Sequence, residues 1–187
     1  LLPEVDNSEY VQFVLDLCQK EKINIVIPLI DPELEVLCHR RQDFENSGIM
    51  AAVSPPAVIE MCYDKYKTFQ FAREHDIPAP LTVLSVEEAL KLLDQGVLQW
   101  PVYVKPRKGS ASCDIYVCRD EEHLCYAFQI CPEPMIQQCL EGIEYGYDLF
   151  GDRDFRPVSV FCKKKLTMRA GETDKAISTD DPALIEL

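Results

Sequence analysis

Between Trp100 and Asp120 the chain reads WPVYVKPRKGSASCDIYVCRD. VYVKP and CDIYVC are short apolar runs rich in β-branched and aromatic residues, the signature of strands. The RKGSAS tract between them is longer and more basic than a tight hairpin needs. Small side chains at Gly109, Ser110, Ala111 and Ser112 leave room for backbone N–H groups to approach an anion. The serine hydroxyls add donors, and Lys105 at the end of the first strand adds a point charge. A polyphosphate requires that combination. An exposed turn with solvated basic residues would use the same residues, and neither GxxxxGK[ST] nor GxGxxG occurs, so the loop has to be weighed with the rest of the chain.

The balance of the whole chain makes this basic cluster conspicuous. The formal net charge is −13, which disfavours nucleic acid and anionic membrane as partners of the surface at large. At 187 residues the chain is long enough for one well-buried core or two small ones. No apolar run approaches a membrane span, and no secretory signal opens the chain. The nine cysteines form no CxxC pair and sit in apolar runs. They read as small buried hydrophobes of a reducing, cytoplasmic environment rather than a disulfide framework. His39, His75 and His123 are too far apart for a zinc-type spacing.

Apolar periodicity divides the chain into two grammars. Tyr10, Phe13, Val14, Leu17 and Cys18 recur at helical spacing. INIVIPL (23–29) follows as a strand covered on both faces, then a helix with Asp31 as cap and Pro32 at its first position. Gly48 ends that helix, IMAAV is a second buried strand, and Ser54-Pro55 opens another helix. This alternation predicts a parallel sheet with covering helices. After Cys62 the order changes. YDKYKTFQFAREHD is a helix stopped by Pro78 and Pro80. LTVL is a strand, and Ser85 with Glu88 forms a capping box before the next helix. VYVKP and CDIYVC, a helix from Asp120 to about Ile130, and the strand MIQQCL follow. EYGYDLF and PVSVFCKKKLTM read as antiparallel strands turning at Gly151 to Asp154. The fold class is therefore α/β then α+β, with the change near residues 62–78.

Three features beyond the loop bear on a phosphate site. Lys65 follows Asp64 at a helix start, within reach of a neighbouring site. MIQQCLEGIEY alternates polar and apolar groups, so its backbone can present an amide and a carbonyl to a purine edge, with Leu140 for the ring face and Glu144 for ribose hydroxyls. KKKLTMRAGETDKA gathers Lys163, Lys164, Lys165 and Arg169 near a glycine, although such charge clusters are usually solvated faces.

Taken in order, DKYKTFQFAREHDIPAP, WPVYVKPRKGSAS, MIQQCLEGIEYGYDLF and RAGETDKA resemble the ATP-grasp superfamily, in particular the ATP-binding units of the carbamoyl-phosphate-synthase large subunit. The resemblance runs from about Cys62 to the C-terminus. It implies residues 1–62 as the tail of a Rossmann-like pre-ATP-grasp domain, 63–137 as the small ATP-grasp lobe with its linking helix, and 138–187 as the start of an incomplete second lobe. It further implies that Lys65 and Lys105 contact phosphates and that Ser110 and Ser112 belong to a flexible lid. Gln137, Gln138, Cys139 and Leu140 would face adenine, Glu144 the ribose, and Arg169 the terminal phosphate or an acyl-phosphate intermediate. The cofactors implied are ATP and Mg2+, with the metal ligands expected beyond Leu187. None of Asp148, Glu172 and Asp174 matches the family's metal motif.

The function implied is ATP-dependent ligation of a small-molecule carboxylate to an amine or thiol, with this stretch alone expected to be inactive. The chain departs from the family at Ala111 and Asp114, where glycines are frequent, and at Gln137-Gln138, where an acid and a lysine are frequent. Asp114 motivates an alternative, a non-catalytic nucleotide-binding module that keeps the ATP-grasp fold; an α/β domain without ligand is the third. The chain opens without methionine and closes on DPALIEL, where Asp181 and Pro182 read as the start of a further helix, so a piece of something longer is expected. The acceptor is open, as is the oligomeric state, with a homodimer among the candidates.

Overall fold

The computed structural model describes residues 2–152, 154, 156–169 and 171–181. The expected helix start at Asp181-Pro182 runs outside these residues.

Helix α1 (Tyr10–Glu21) buries Tyr10, Val11, Val14, Leu15 and Cys18 along one face. Two short strands, β1 (Ile25–Val26) and β2 (Met50–Ala51), pair in parallel, joined by α2 (Asp31–His39) and α3 (Arg41–Asn46). Phe44, Leu37, Cys38, Ile49 and Ala51 complete a first core with α1. Two local expectations need correction. The 23–29 run is not covered on both faces: Ile25 and Ile27 are exposed and Leu29 is 87% exposed. Only two residues of the run are laddered, so the packing that would cover its second face is lacking among the described residues. Asp31 is also not the cap of α2. Ile30 holds the extended N-cap position, without a side-chain cap, and Asp31 is the first helical residue.

Helix α4 (Pro56–Tyr63) leads to α5 (Lys65–Glu74), and between them Asp64 is extended. Its carboxylate accepts from the Tyr66 and Lys67 amides, satisfying N–H groups that a helix start leaves without partners. Ser85 does the same for α6 (Val86–Asp94), and Asp120 for α7 (Glu121–Ile130).

β3 (Thr82–Val83), β4 (Val102–Pro106), β5 (Tyr116–Cys118) and β6 (Pro134–Gln138) form an antiparallel sheet in the order β3-β6-β4-β5. Its register sorts the side chains. Val83, Ile136, Val104, Val102 and Cys118 share one face, where α6 and α7 add Ala89, Leu124 and Ala127 to make the second core. Thr82, Gln137 and Tyr103 are cross-strand neighbours on the opposite face, as are Lys105 and Met135.

β7 (Tyr145–Gly151), β8 (Pro157–Arg169) and β9 (Glu172–Ser178) form a third, antiparallel sheet. β9 was not expected from the sequence. Five cysteines are buried as expected, but Cys62 and Cys113 are exposed. Among the described residues no helix is long and apolar enough to cross a membrane.

Candidate functional site

The start of α5 and the end of β4 meet. The Lys65 amide donates to the Arg107 carbonyl at 2.9 Å, and the Arg107 amide to the Glu133 carbonyl at 3.0 Å. Arg107 then turns back onto Asp64, donating from Nη2 to Oδ2 at 2.5 Å and from Nε to Oδ1 at 3.3 Å. Its guanidinium carbon lies 5.7 Å from the centre of the Tyr66 ring. Asp64 is only 2% exposed. Burial opposes its charge, but the Arg107 hydrogen bond, the Lys67 and Tyr66 amides and the Arg107 charge outweigh it, and the carboxyl titrates below its usual range. Of the basic residues around the loop, Arg107 is thus structural.

That tie sets three other cations, Lys65, Lys105 and Lys108, beside one cleft. The cleft, of about 430 Å³, is lined by Lys65, Lys105, the 108–115 segment, Asp31 and Gly171, among others. Lys65 Nζ donates to the Gly109 carbonyl at 2.7 Å. Burial lowers the Lys65 pKa, against the opposing charges of Asp31 and Asp64. Burial lowers that of Lys105 too, and the Lys65 charge adds to it. Two neighbouring ammonium groups, each driven toward neutrality, make a site that an anion stabilises.

The loop above them is strained. Ala111, Ser112 and Asp114 have φ of 59°, 54° and 54°, the left-handed region that residues with a Cβ rarely adopt. Each costs roughly 1–3 kcal/mol unless the surroundings hold it. Two contacts do so: the Cys131 thiol donates to the Asp114 carbonyl, and the Ala111–Ser112 backbone lies against Gly171.

The structure therefore brings Lys65, Lys105, Ser110 and Ser112 together around one cleft. The other residues singled out lie elsewhere. Gln137 stands on the same sheet face as Tyr103, and its side-chain amide donates to Thr82 Oγ1 at 2.9 Å. Gln138 points to the other face, and its Oε1 accepts from the Leu81 amide at 3.2 Å. A hydrogen bond between Cys139 and Tyr103, with burial, raises the Tyr103 pKa. Leu140 is 64% exposed. Glu144 accepts from Lys165 Nζ at 2.5 Å, and Lys163 donates to Asp148 at 2.6 Å. Arg169 is outside the cleft lining; its side chain is 80% exposed and donates to Asp174 at 3.3 Å. Among the described residues no group of three His, Cys, Asp or Glu side chains could hold a metal ion.

Sequence reasoning missed Asp31 and Gly171 as cleft residues. A carboxylate 34 positions before Lys65 carries no local signal, but Gly171 was already marked as the lone glycine of the RAGETDKA motif.

Comparison with known proteins agrees with this architecture. A family model described as "PylC-like, N-terminal domain" matches residues 1–52, and one described as "ATP-grasp domain" matches residues 62–186. Human beta-citrylglutamate synthase B is 31% identical over 97 residues, 50% of this chain and 24% of that protein. The chain thus spans about a quarter of the length of the curated relatives it matches. The biotin carboxylase domain of Hydrogenobacter thermophilus 2-oxoglutarate carboxylase, solved with MgADP, ADP and bicarbonate, superposes with a TM-score of 0.68 at 18% identity, covering 92% of this chain and 41% of that one. An L-amino acid ligase from Bacillus licheniformis gives 0.62 at 20% identity, covering 96% and 43%. With a family model matching more than half of its length, the chain belongs to the ATP-grasp family.

Proposed function

We propose that the chain supplies the nucleotide-phosphate site of an ATP-dependent ligase that joins a small-molecule carboxylate to an amine or thiol. One observation carries this: Lys65 and Lys105, each pushed below the usual lysine pKa, stand at one cleft under a loop of small and hydroxylic residues. Triphosphate binding would replace the repulsion of two adjacent ammonium groups with charge-assisted hydrogen bonds. The loop amides and the Ser110 and Ser112 hydroxyls would hold the phosphate oxygens. The same clamp steadies a phosphoryl group in transfer to a carboxylate, with ADP leaving, and the acyl phosphate then loses phosphate to the attacking amine or thiol.

We read the arrangement as carbamoyl-phosphate-synthase-like, with residues 1–62 as pre-ATP-grasp tail, 63–137 as small lobe and 138–187 as the start of the second. Tyr103, Gln137 and the segment through Leu140 give adenine a sheet face and a strand edge, and Glu144 would exchange Lys165 for ribose hydroxyls. Arg169 would reach the terminal phosphate by leaving Asp174, an exposed pair worth only about 0–1 kcal/mol. Mg2+ belongs with this chemistry, but the carboxylates described here form no set for it, so no step is assigned to it. We expect a cytoplasmic enzyme, possible as a homodimer, and negligible turnover by this chain alone.

The test is a calorimetric series of adenosine, AMP, ADP and ATP. Affinity should climb with each phosphate; equal affinity for adenosine and ATP refutes the site. Asp31 and Asp114 in the cleft favour a second reading, a nucleotide-binding module without chemistry. Tight ATP binding with no phosphate release in any carboxylate and amine mixture, by a protein that also contains the metal-binding strands, would select it.

A further inference from the structure

The RAGETDKA motif drew attention to its arginine, but the structure gives the motif's glycine the closer relation to the site. Gly171 has φ of 82° at the β8–β9 turn and lines the cleft. A Cβ built there would lie 2.7 Å from the Ser112 backbone nitrogen, 2.8 Å from the Ala111 carbonyl carbon and 2.8 Å from Ser112 Oγ. Two of those three atoms are backbone, so no rotamer change relieves the collision. Among the described residues no strand pairing joins the β8–β9 turn to the loop after β4, yet here one backbone rests on the other.

We propose that Gly171 is a positioning residue, the seat on which the loop over the cleft closes. This rests on the nucleotide-site assignment above only for its consequence for binding; the seat itself stands on geometry. Among the described residues Ala111 and Ser112 are the two consecutive non-glycine residues held in the left-handed region, and they are the residues that meet Gly171. A loop in such a conformation relaxes when its support is withdrawn. At its near end Lys65 Nζ holds the Gly109 carbonyl, and at its far end the Cys131 thiol holds the Asp114 carbonyl. Gly171 supports the middle. The second lobe thereby sets the position of a phosphate-facing loop that belongs to the first, and any side chain at 171 pushes it off.

The experiment compares Gly171→Ala with Gly96→Ala. Gly96 has a similar φ of 70° but nothing within 4 Å of a built Cβ, so it reports backbone strain without the collision. Amide hydrogen exchange of the 108–114 peptide, without nucleotide, should speed up about tenfold or more in Gly171→Ala while β4 and α7 keep their protection, and should not change in Gly96→Ala. ATP affinity should fall in Gly171→Ala alone. Unchanged loop exchange in Gly171→Ala, equal acceleration in both variants, or faster exchange with unaltered ATP affinity overturns the proposal. If the unmodified chain binds no ATP, the nucleotide assignment fails while the exchange comparison still decides the seat. Should Gly171→Ala not fold, the unmodified chain answers at low urea: the 108–114 and 169–173 peptides should lose protection at the same concentration, and separate losses overturn the seat.

Discussion

Arg107 grips the buried carboxylate of Asp64 with two hydrogen bonds, and the same carboxylate caps the helix that begins at Lys65. One acidic group thus fastens the loop after β4 to the helix carrying a cleft lysine. Asp64→Ala removes the cap and leaves Arg107 without its counter-charge. Breaking one side of a largely buried pair costs about 3–5 kcal/mol, and solvent reaching Arg107 favours the lower end. Urea unfolding should show a loss near that lower end, with Asp64→Asn losing less because the amide oxygen still accepts from the helix start. Arg107→Met in the Asp64→Ala background should add little, since the coupling is already gone.

The same carboxylate sets a pH dependence. Its folded pKa is below the usual 3.8, so its contribution is complete above the unfolded value and is lost as pH falls through the folded one. Stability attributable to Asp64 should therefore hold from neutrality down to about pH 4 and decline below that. Parallel melts of the chain and Asp64→Asn should converge in acid; a gap that persists or widens below pH 4 contradicts the assignment.

The cleft lysines carry the opposite balance. Both pKa values lie below 10.5, so their charged forms are disfavoured in the free protein at neutral pH, and that cost is relieved as pH rises toward 10.5. Lys105→Met should leave stability unchanged or raise it, yet weaken ATP binding by about 30-fold, the loss of one charge-assisted contact of about 2 kcal/mol. ATP binding to the unaltered chain should also take up protons in the alkaline window below 10.5, because phosphate favours the ammonium form. Calorimetry in buffers of different ionisation enthalpy measures that uptake, and Lys105→Met should reduce it.

Local chemistry was legible, and long-range pairing only where the alternation of elements announced it, as in the parallel β1–β2 pair. Ser85 and Asp120 could be marked as caps because a cap is decided within a few residues. β9 has no apolar alternation strong enough to announce a strand; its ladder comes from β8, whose position is a tertiary fact. Lys65, Lys105 and the small-residue loop could each be suspected alone, but their meeting depends on α5 docking at the end of β4. Lys105 could be named for the cleft from the sequence, but the reason Arg107 is withheld from it could not. Arg107 and Lys105 are two positions apart, and only the buried Asp64, more than forty residues earlier, separates the ion-paired one from the one with no carboxylate partner among the described residues. The lysines of β8 divide similarly, Lys163 to Asp148 and Lys165 to Glu144.

That division makes Glu144 a sharp discriminator. It is largely exposed, so its pair with Lys165 should contribute no more than about 1 kcal/mol, and Glu144→Ala should barely move the unfolding transition. Gln137 is the reverse case: its amide donates to the hydroxyl of Thr82, which is buried and itself donates to the Pro80 carbonyl, and Gln137→Leu should cost about 0.5–1.5 kcal/mol by removing that one hydrogen bond while the bond to Pro80 stays. If Glu144 takes the ribose, Glu144→Ala weakens ATP while leaving inorganic triphosphate binding unchanged. The ratio of the two affinities is the measurement, because a general disturbance of the cleft would shift both ligands together, whereas loss of a sugar contact shifts only the one that carries a sugar.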